Sequence, residues 1–212
     1  MCTNASNGSW IGICCHNLPF DYGFAKPALS LSRERASAQG ENILPMNIFI
    51  RPEQPKDIPI IHALNASAFP TDAEARLVDA LRANGKAIYS FVAVDEQDTV
   101  LGHVLYSPVT TPPPSHGLGL APVAVRPEFQ NQGIGSKLIR ASLTEIKADG
   151  YDFIVLLGSP EYYHRFGFQT ASRFDLQNEY GADEEFMVLN LSGREFPRGV
   201  VQYSVEFGLF SI

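Results

Sequence analysis

The chain has 212 residues, 45% of them hydrophobic, which is enough to bury the core of one domain that carries an extension. Its formal net charge of −7 at pH 7 argues against a nucleic-acid partner, because nucleic-acid-binding surfaces carry excess positive charge. The acidic balance suits a site that attracts cationic ligands such as amines.

Residues 1–45 differ in composition from the rest of the chain. They are rich in Ser, Asn, Ala and Gly and show no sustained apolar periodicity. We therefore predict a disordered N-terminal extension over 1–45 and one folded domain over 46–212. The apolar run Trp10–Cys15 is too short to cross a membrane, and no basic segment precedes it as in a signal peptide. We expect no membrane partner.

All three cysteines of the chain lie in the extension, and residues 46–212 contain none. A disulfide framework in the domain is excluded, so a cytoplasmic protein is expected. A thioester intermediate on a cysteine nucleophile is excluded for the same reason. The adjacent pair Cys14 and Cys15 has no second pair of ligands beside it, so we expect no metal.

Deletion of residues 1–45 tests the predicted boundary. A segment without a periodic apolar face buries little surface, so the truncated chain beginning at Met46 should melt within a few degrees of the full chain. Thermal unfolding of the two chains side by side is the measurement. A truncated chain that fails to fold would show that the extension packs on the domain.

The first elements of the domain follow from apolar patterning and end signals. Asn47–Arg51 reads as a strand, and Ile58–Ala68 as a helix with a proline in its first turn. Thr71 or Asp72 caps a second helix, which ends near Asn84-Gly85, a good C-terminal signal.

Three strands follow. Tyr89–Asp95 and Val100–Val109 flank a polar tripeptide and predict a hairpin. The apolar run Leu118–Val125 predicts a buried strand, and Pro127 ends it because proline has no amide to donate to a ladder. A helix over Ser136–Lys147 is predicted from five apolar residues at helical spacing, Ile134, Leu138, Ile139, Leu143 and Ile146.

The turn between this strand and this helix is polar and glycine-rich. Gln130, Asn131 and Gln132 precede Gly133 and Gly135. A turn of this kind directs several backbone amides at one point, and the helix N-terminus adds partial positive charge. The sequence therefore predicts an anion site suited to phosphate.

Two common phosphate loops do not fit this turn. A Walker loop needs a glycine five residues before Gly135, and none is present. A dinucleotide fingerprint needs a third glycine where Leu138 stands. The pattern Gln130-x-x-Gly133-x-Gly135 instead resembles the acetyl-CoA pyrophosphate loop of the GNAT family of N-acetyltransferases.

A second motif supports this resemblance. The predicted strand Asp152–Leu157 leads through Gly158-Ser159-Pro160 into Glu161–Phe168, which ends in Tyr-x-x-x-Gly-Phe as the corresponding segment of GNAT enzymes does. This segment, together with Gly102-His103, resembles the YhbS-like branch of the family. The resemblance covers about Asn47–Val205.

The last predicted strands are Phe186–Leu191 and Gly199–Phe207, after an acidic loop over Glu179–Glu185. The resulting order, β-α-α-β-β-β-α-β-α-β-β, is that of the GNAT fold. The resemblance therefore implies an α/β (mixed α+β) fold with a central mixed, mostly antiparallel sheet and helices on both faces. It also implies a V-shaped splay between the fourth and fifth strands, with a bulge that we place at Ala121–Val123 because of its proline.

The function implied by the resemblance is transfer of the acetyl group of acetyl-CoA, as co-substrate, directly to a primary amine of a small molecule, peptide or protein. The alternative is a catalytically silent acyl-CoA-binding module that serves as a regulator or interaction domain. Either protein would be a monomer or a homodimer. The implied cofactor-binding residues are Val123, Ala124, Val125, Gln130, Asn131, Gln132, Gly133, Ile134, Gly135, Ser136 and Ser159.

For catalysis, the resemblance implies that Tyr163 is the acid that protonates the leaving CoA thiolate. The other interpretation is that Tyr163 is a core aromatic residue and that Tyr162 faces the ligand. A backbone amide near Val123 or Val125 is the implied oxyanion donor.

The residues do not decide which side chain is the general base. The candidates by residue type are Asp72, Glu74, His103, His116 and Glu179, although a histidine in the setting of His103 is more often a satisfied core residue. His164 and Arg165 are either helix surface or a clamp on a CoA phosphate.

Overall fold

The computed structural model describes residues 46–112 and 114–209, so the predicted extension, 1–45, lies outside the described residues. The elements within these ranges are β1 (Phe49–Pro52), α1 (Ile58–Ala68), α2 (Ala73–Ala83), β2 (Tyr89–Val94), β3 (Val100–Val109), β4 (Gly117–Val125), α3 (Ile134–Ala148), β5 (Phe153–Leu157), α4 (Pro160–Tyr163), β6 (Gln169–Thr170), β7 (Leu176–Asn178), β8 (Phe186–Asn190) and β9 (Gly199–Val201). None of the helices in this part of the chain is long and apolar enough to cross a membrane.

The central sheet has seven strands in the order β1-β2-β3-β4-β5-β8-β6. Its neighbouring strands are antiparallel except β4 and β5, which are parallel. The predicted mixed, mostly antiparallel sheet is confirmed. The parallel pair lies near the middle of the sheet, and α3 is the crossover between its two strands.

Helices cover both faces of the sheet, as predicted. On one face, α1 and α2 pack through Ile61, Leu64, Leu77, Val78 and Leu81 against the sheet. On the other face, α3 and the segment around α4 supply a second apolar cluster, which includes Ile134, Leu138, Ile139, Ile146, Tyr163 and Phe168.

Helix α3 begins two residues earlier than the predicted Ser136. Gly133 precedes the helix with φ +83°, a left-handed conformation that glycine adopts without steric cost. Because this residue completes the turn, Ile134 and Gly135 already belong to the first helical turn. The glycine turn and the helix N-terminus are therefore one continuous feature.

The prediction of a strand over Gly199–Phe207 is wrong beyond Val201. Gln202 forms an isolated bridge with Thr110, and Val205–Leu209 is a 3-10 helix. Tyr203 leaves the strand direction because its ring packs between Gly119 and Phe207. Two short strands, β6 and β7, were not predicted, and β7 pairs with β9 in a separate parallel sheet.

Candidate active site

The paired strands β4 and β5 separate after three residues. Their register runs from Gly117 opposite Phe153 to Gly119 opposite Val155, and no pairing continues beyond that point. Strand β4 nevertheless extends to Val125 and β5 to Leu157. The predicted splay between the fourth and fifth strands is therefore present, and it opens toward the carboxyl ends of both strands.

A bulge in β4 lies at the start of this splay. Val123 pairs with Val104 and Leu120 with Tyr106, so Ala121 and Pro122 together oppose the single residue Leu105. This is the break that the proline predicted. Beyond the bulge, β4 pairs with β3 on one side and with no strand of the described part of the chain on the other. Alternate peptide groups of an antiparallel strand point away from the partner, so part of the Val123–Val125 backbone faces the splay.

The glycine turn adjoins the end of β4. Gln130 Nε2 donates a hydrogen bond to the Val125 carbonyl oxygen at 3.1 Å, which ties the turn to the strand. Gln132 Nε2 donates to the Glu128 carbonyl oxygen at 3.2 Å. Asn131 has φ 59° and Gly133 φ 83°, so the turn contains two left-handed residues. Gly133 has no side chain to cap the N-terminus of α3, and none of the described side chains is seen to cap it, so its first amides can face an anion.

Gly135 lies where the turn meets both β4 and α4. A Cβ atom at Gly135 would be 3.1 Å from Tyr162 Oη, 3.7 Å from Val125 Cγ2 and 3.8 Å from Val123 Cγ1. Tyr162 Oη is also 3.3 Å from Ser136 Oγ. The fold thus brings together four of the predicted site residues, namely Val123, Val125, Gly135 and Ser136. It places Tyr162 beside them, which the sequence offered only as the alternative to Tyr163.

Helix α4 begins after Ser159, whose carbonyl oxygen accepts hydrogen bonds from the backbone amides of Tyr162 and Tyr163. Tyr163 is 1% exposed, and its ring lies edge-on to Tyr162 and Phe168. A Cβ atom at Gly158, directly after β5, would be 2.5 Å from the Tyr163 ring. Tyr163 is therefore buried beside the end of β5, whereas Tyr162 is half-buried at the turn; the role of Tyr163 stays a prediction.

The five candidate bases lie in different settings. Asp72, His116 and Glu179 are exposed, and Glu179 Oε1 accepts the Tyr203 amide at 2.9 Å. Glu74, in the first turn of α2, is 5% exposed, and its Oε2 has no hydrogen-bond partner in the described part of the chain. Burial raises the pKa of Glu74 above its ordinary value.

His103 is a core histidine, in agreement with the more frequent interpretation of its setting. The side chain is completely buried, with Nδ1 3.2 Å from Asn65 Nδ2 and Nε2 2.9 Å from Ser90 Oγ. Ser90 also contacts Glu53, and Glu53 forms hydrogen bonds of 2.8 and 2.9 Å with Arg82. This network links α1, α2 and the sheet. Burial is the main reason that the pKa of His103 is lowered to about 3; Glu53 opposes this shift and Arg82 adds to it.

The neutral state of His103 predicts a pH-dependent stability. An unfolded imidazole binds a proton below pH ~6.5, whereas the folded one stays neutral to pH about 3. The unfolded state therefore binds more protons, and the free energy of unfolding falls with decreasing pH by up to ~1.4 kcal/mol per unit. Urea unfolding between pH 6.5 and about 4.5 should show the His103 contribution as a difference from a variant without the imidazole, because the raised pKa of Glu74 adds a slope of opposite sign to both chains.

His103→Gln should flatten the slope, because glutamine keeps polar contacts but does not titrate. The matched control is His116→Gln, whose imidazole is exposed and whose loss should leave the slope unchanged. An identical slope in folded His103→Gln and in the unmodified chain would contradict the assignment.

Within the described residues, no group of three or more His, Cys, Asp or Glu side chains is placed to hold a metal ion.

The sequence did not identify Arg140, which lies one helical turn after Ser136 on α3 with its guanidinium carbon 5.0 Å from the centre of the Phe166 ring. The only sequence signal for Arg140 is its i+4 spacing from Ser136 on an exposed helix face.

A splayed parallel pair, a bulge and a glycine turn before a helix are the structural features that the resemblance predicted for an acetyltransferase. The sequence profile of the Acetyltransferase (GNAT) family matches residues 58–168. The chain belongs to this family.

Individual relatives agree with the family assignment. The chain is 36% identical over 167 residues to YhbS of Escherichia coli K12, described as an uncharacterized N-acetyltransferase, covering 77% of this chain and 100% of the relative. It resembles the crystal structure of E. coli YhbS in complex with CoA with a TM-score of 0.74 and 34% identity, over 79% of this chain and 96% of the other. A GNAT family acetyltransferase from Brucella melitensis, in complex with acetyl-CoA, gives a TM-score of 0.65 and 35% identity, over 76% and 98% of the two chains.

Proposed function

We propose that this protein transfers the acetyl group of acetyl-CoA directly to a primary amine of a small molecule, a peptide or a protein. The observation that carries the proposal is the splay beyond Gly119 and Val155, which opens directly beside the glycine turn. A pantetheine arm placed in the splay would have its pyrophosphate at this turn. The CoA and acetyl-CoA held by the two similar structures support this choice of ligand.

The cofactor is proposed to bind mainly through the backbone. Amides of the turn from Gln130 to Ser136 would hold the pyrophosphate at the N-terminus of α3. The free edge of Val123–Val125 would bind the amide groups of pantetheine as an added strand does. Ser159, which follows β5 and precedes α4, would contact the same arm from the β5 side of the splay.

The chemistry is proposed to be direct transfer without a covalent enzyme intermediate. The neutral amine attacks the thioester carbonyl carbon and forms a C–N bond, and the carbonyl oxygen becomes an oxyanion. A backbone amide near Val123 or Val125 would stabilise that oxyanion. As the C–S bond breaks, the sulfur takes the electron pair and Tyr163 supplies its proton. The proton lost by the amine passes to a base.

Among the five candidates for this base, Glu74 best meets the chemical requirement. Its carboxylate is buried, one oxygen has no hydrogen-bond partner in the described part of the chain, and burial raises its pKa above the ordinary value. A buried carboxylate of this kind would also attract the ammonium form of the acceptor. The other four are exposed or, in the case of His103, held in the core network.

The proposed setting is the cytoplasm, because the domain over 46–212 contains no cysteine for a disulfide framework. The proposed assembly is a monomer or a homodimer.

The test is a panel of amines and peptides incubated with acetyl-CoA and the full chain, with acetylated products and free CoA both read by mass spectrometry. Product that grows with enzyme concentration supports the proposal. Tight binding of acetyl-CoA with no product from any class of amine would instead support the silent acyl-CoA-binding module.

A further inference from the structure

The Tyr203 ring lies at the inner end of the splay, the point where β4 and β5 separate. The last residue of β4 that pairs with β5 is Gly119, which has no side chain to fill this position. A Cβ atom at Gly119 would be 2.9 Å from Tyr203 Cε1 and 3.1 Å from Val109 Cγ1. The Tyr203 ring therefore takes the place of the missing side chain, on the face of the sheet that α1 and α2 cover.

The sheet itself would leave a hollow at this point. Gly119 lies directly opposite Ser107 in the register of β3 and β4. Opposite residues of an antiparallel pair project from the same face of a sheet, so the Ser107 side chain lies on the face of Tyr203 as well. Ser107 is completely buried, although its own side chain is small. The two small residues form the floor of the hollow, and the Tyr203 ring fills it.

Neighbouring groups hold the Tyr203 ring in place. Its backbone amide donates to Glu179 Oε1 at 2.9 Å, and the centre of its ring lies 5.1 Å from that of Phe207 and 5.8 Å from that of Tyr180. Tyr203 is 8% exposed, and its Oη has no hydrogen-bond partner in the described part of the chain. Packing therefore fixes the ring. Burial, with Tyr180 and Glu179 nearby, raises the pKa of the Tyr203 hydroxyl, so the ring presents no charge.

The other face of the sheet is closed near the same point. Leu120 and Leu156 follow the last paired residues of their strands, and both are buried in the apolar cluster on the α3 side. A Cβ atom at Gly158 would be 2.5 Å from the Tyr163 ring and 3.4 Å from Leu156 Cδ1, so Tyr163 covers this end of β5. A group that reaches the inner end of the splay is therefore directed toward the face on which Tyr203 lies.

The length of CoA would bring its acyl group close to this end. The proposed pyrophosphate site adjoins Val125, because a Cβ atom at Gly135 would be 3.7 Å from Val125 Cγ2. From phosphorus to sulfur, the arm of CoA has about as many bonds as four residues of extended chain, a span of roughly 14 Å. Counted back along β4 from the turn, the sulfur would lie at the bulge, Ala121–Val123. The two carbons of an acetyl group then end short of Gly119, whereas a longer acyl chain meets the Tyr203 ring.

We propose that Tyr203 determines the acyl-chain length, so that the protein accepts acetyl-CoA and rejects acyl-CoAs that are longer by several methylene groups. This inference rests on the proposed function, because it takes the pantetheine arm to lie in the splay. The ring acts as a fixed stop, since a close-packed interior does not accept extra methylene groups without displacing side chains. Tyr203 supplies neither a proton nor a charge in this role, which is one of specificity.

The test titrates the full chain with acetyl-, butyryl- and hexanoyl-CoA by calorimetry, which needs no knowledge of the acceptor. The full chain should bind acetyl-CoA about tenfold more tightly than hexanoyl-CoA, because the additional methylene groups overfill the site. Tyr203→Ala should bind the two ligands within about twofold of each other, with its affinity for acetyl-CoA unchanged. Tyr203→Phe keeps the ring and should keep the preference.

Two further variants separate the stop from a general loosening of the core. Tyr203→Val removes less volume than Tyr203→Ala and disturbs folding less, and it should bind butyryl-CoA as tightly as acetyl-CoA. Phe174→Ala truncates another aromatic side chain packed against the same apolar cluster, with its ring centre 4.6 Å from that of Phe196. This matched control should keep the preference for acetyl-CoA.

The remaining outcomes distinguish this inference from the proposed function. Equal binding of acetyl- and hexanoyl-CoA by the full chain would overturn the inference and leave the proposed function intact. An unchanged preference in the folded alanine and valine variants of Tyr203, or an equal loss of preference in Phe174→Ala, would also overturn it. No binding of any of the three ligands by the folded full chain would overturn the proposed function itself.

Discussion

Gly135→Val is expected to weaken acetyl-CoA binding by about tenfold or more, equivalent to ~1.4 kcal/mol. The position lies between Tyr162 and the end of β4, and a Cβ atom would already be 3.1 Å from Tyr162 Oη. The two further methyl groups of valine would displace that hydroxyl or occupy the space proposed for the pyrophosphate. Calorimetric titration of acetyl-CoA is the measurement.

Gly133→Val should have an effect of similar size for a different reason. Among the described residues, no atom lies within 4 Å of a Cβ added at Gly133, so the side chain would project toward the proposed phosphate site. In addition, φ +83° is a conformation that β-branched residues rarely adopt, so the amides of the turn would change direction.

The control for backbone strain is Gly150→Val. Gly150 has φ +79°, no atom of residues 46–112 or 114–209 lies within 4 Å of its added Cβ, and it stands just beyond the opposite end of α3. This variant should lose stability to a similar extent as Gly133→Val while keeping its affinity for acetyl-CoA. Unchanged affinity in all three folded variants would show that the turn does not hold the cofactor.

Much of the fold could be predicted from local signals. The bounds of α1 match the predicted Ile58–Ala68, because a proline in the first turn marks the start of this segment. The bulge in β4 could be placed because Pro122 has no amide to donate, and the register shift occurs at that residue. Each of these features depends on the chemistry of a few neighbouring residues.

The predictions failed where pairing partners lie far apart in sequence. Strand β7 has three residues and pairs in parallel with β9, more than twenty residues away, so alternation within either segment carries little information. Tyr203 and Phe207 are of residue types that favour strands. Both nevertheless lie beyond the end of β9 and are buried in the apolar cluster that α1 and α2 form with the sheet. Tertiary packing of these rings overrides the local preference for an extended chain.

In the candidate site, too, local features could be predicted and long-range contacts could not. The glycine pattern predicted the turn, because Gly133 has a left-handed conformation and Gly135 leaves little room for a side chain. The contact between Ser136 and Tyr162 joins residues 26 positions apart on different helices. The stacking of Arg140 on Phe166 likewise depends on how α3 packs against the segment after α4. No periodicity in the sequence encodes such contacts.

Tyr163→Phe is expected to lower kcat by roughly 10–100-fold, with the KM for acetyl-CoA little altered. General-acid catalysis can contribute more, but a CoA thiolate leaves fairly well without help, so the low end of the range applies. Tyr163 is 1% exposed, and its ring packs on Tyr162 and Phe168, contacts that phenylalanine retains. The variant should therefore fold normally. The measurement is steady-state kinetics with an amine identified by the mass-spectrometric panel.

Tyr162→Phe is the matched control, because it removes one hydroxyl from the adjacent residue of the same helix. That hydroxyl lies 3.3 Å from Ser136 Oγ at the glycine turn, so its loss should act on cofactor binding and leave kcat nearly unchanged. A large loss of kcat in Tyr162→Phe together with a silent Tyr163→Phe would assign the proton to the half-buried tyrosine and leave Tyr163 as a core aromatic residue. If both variants keep their kcat, the thiolate takes its proton from water or from another residue, and neither tyrosine is the acid.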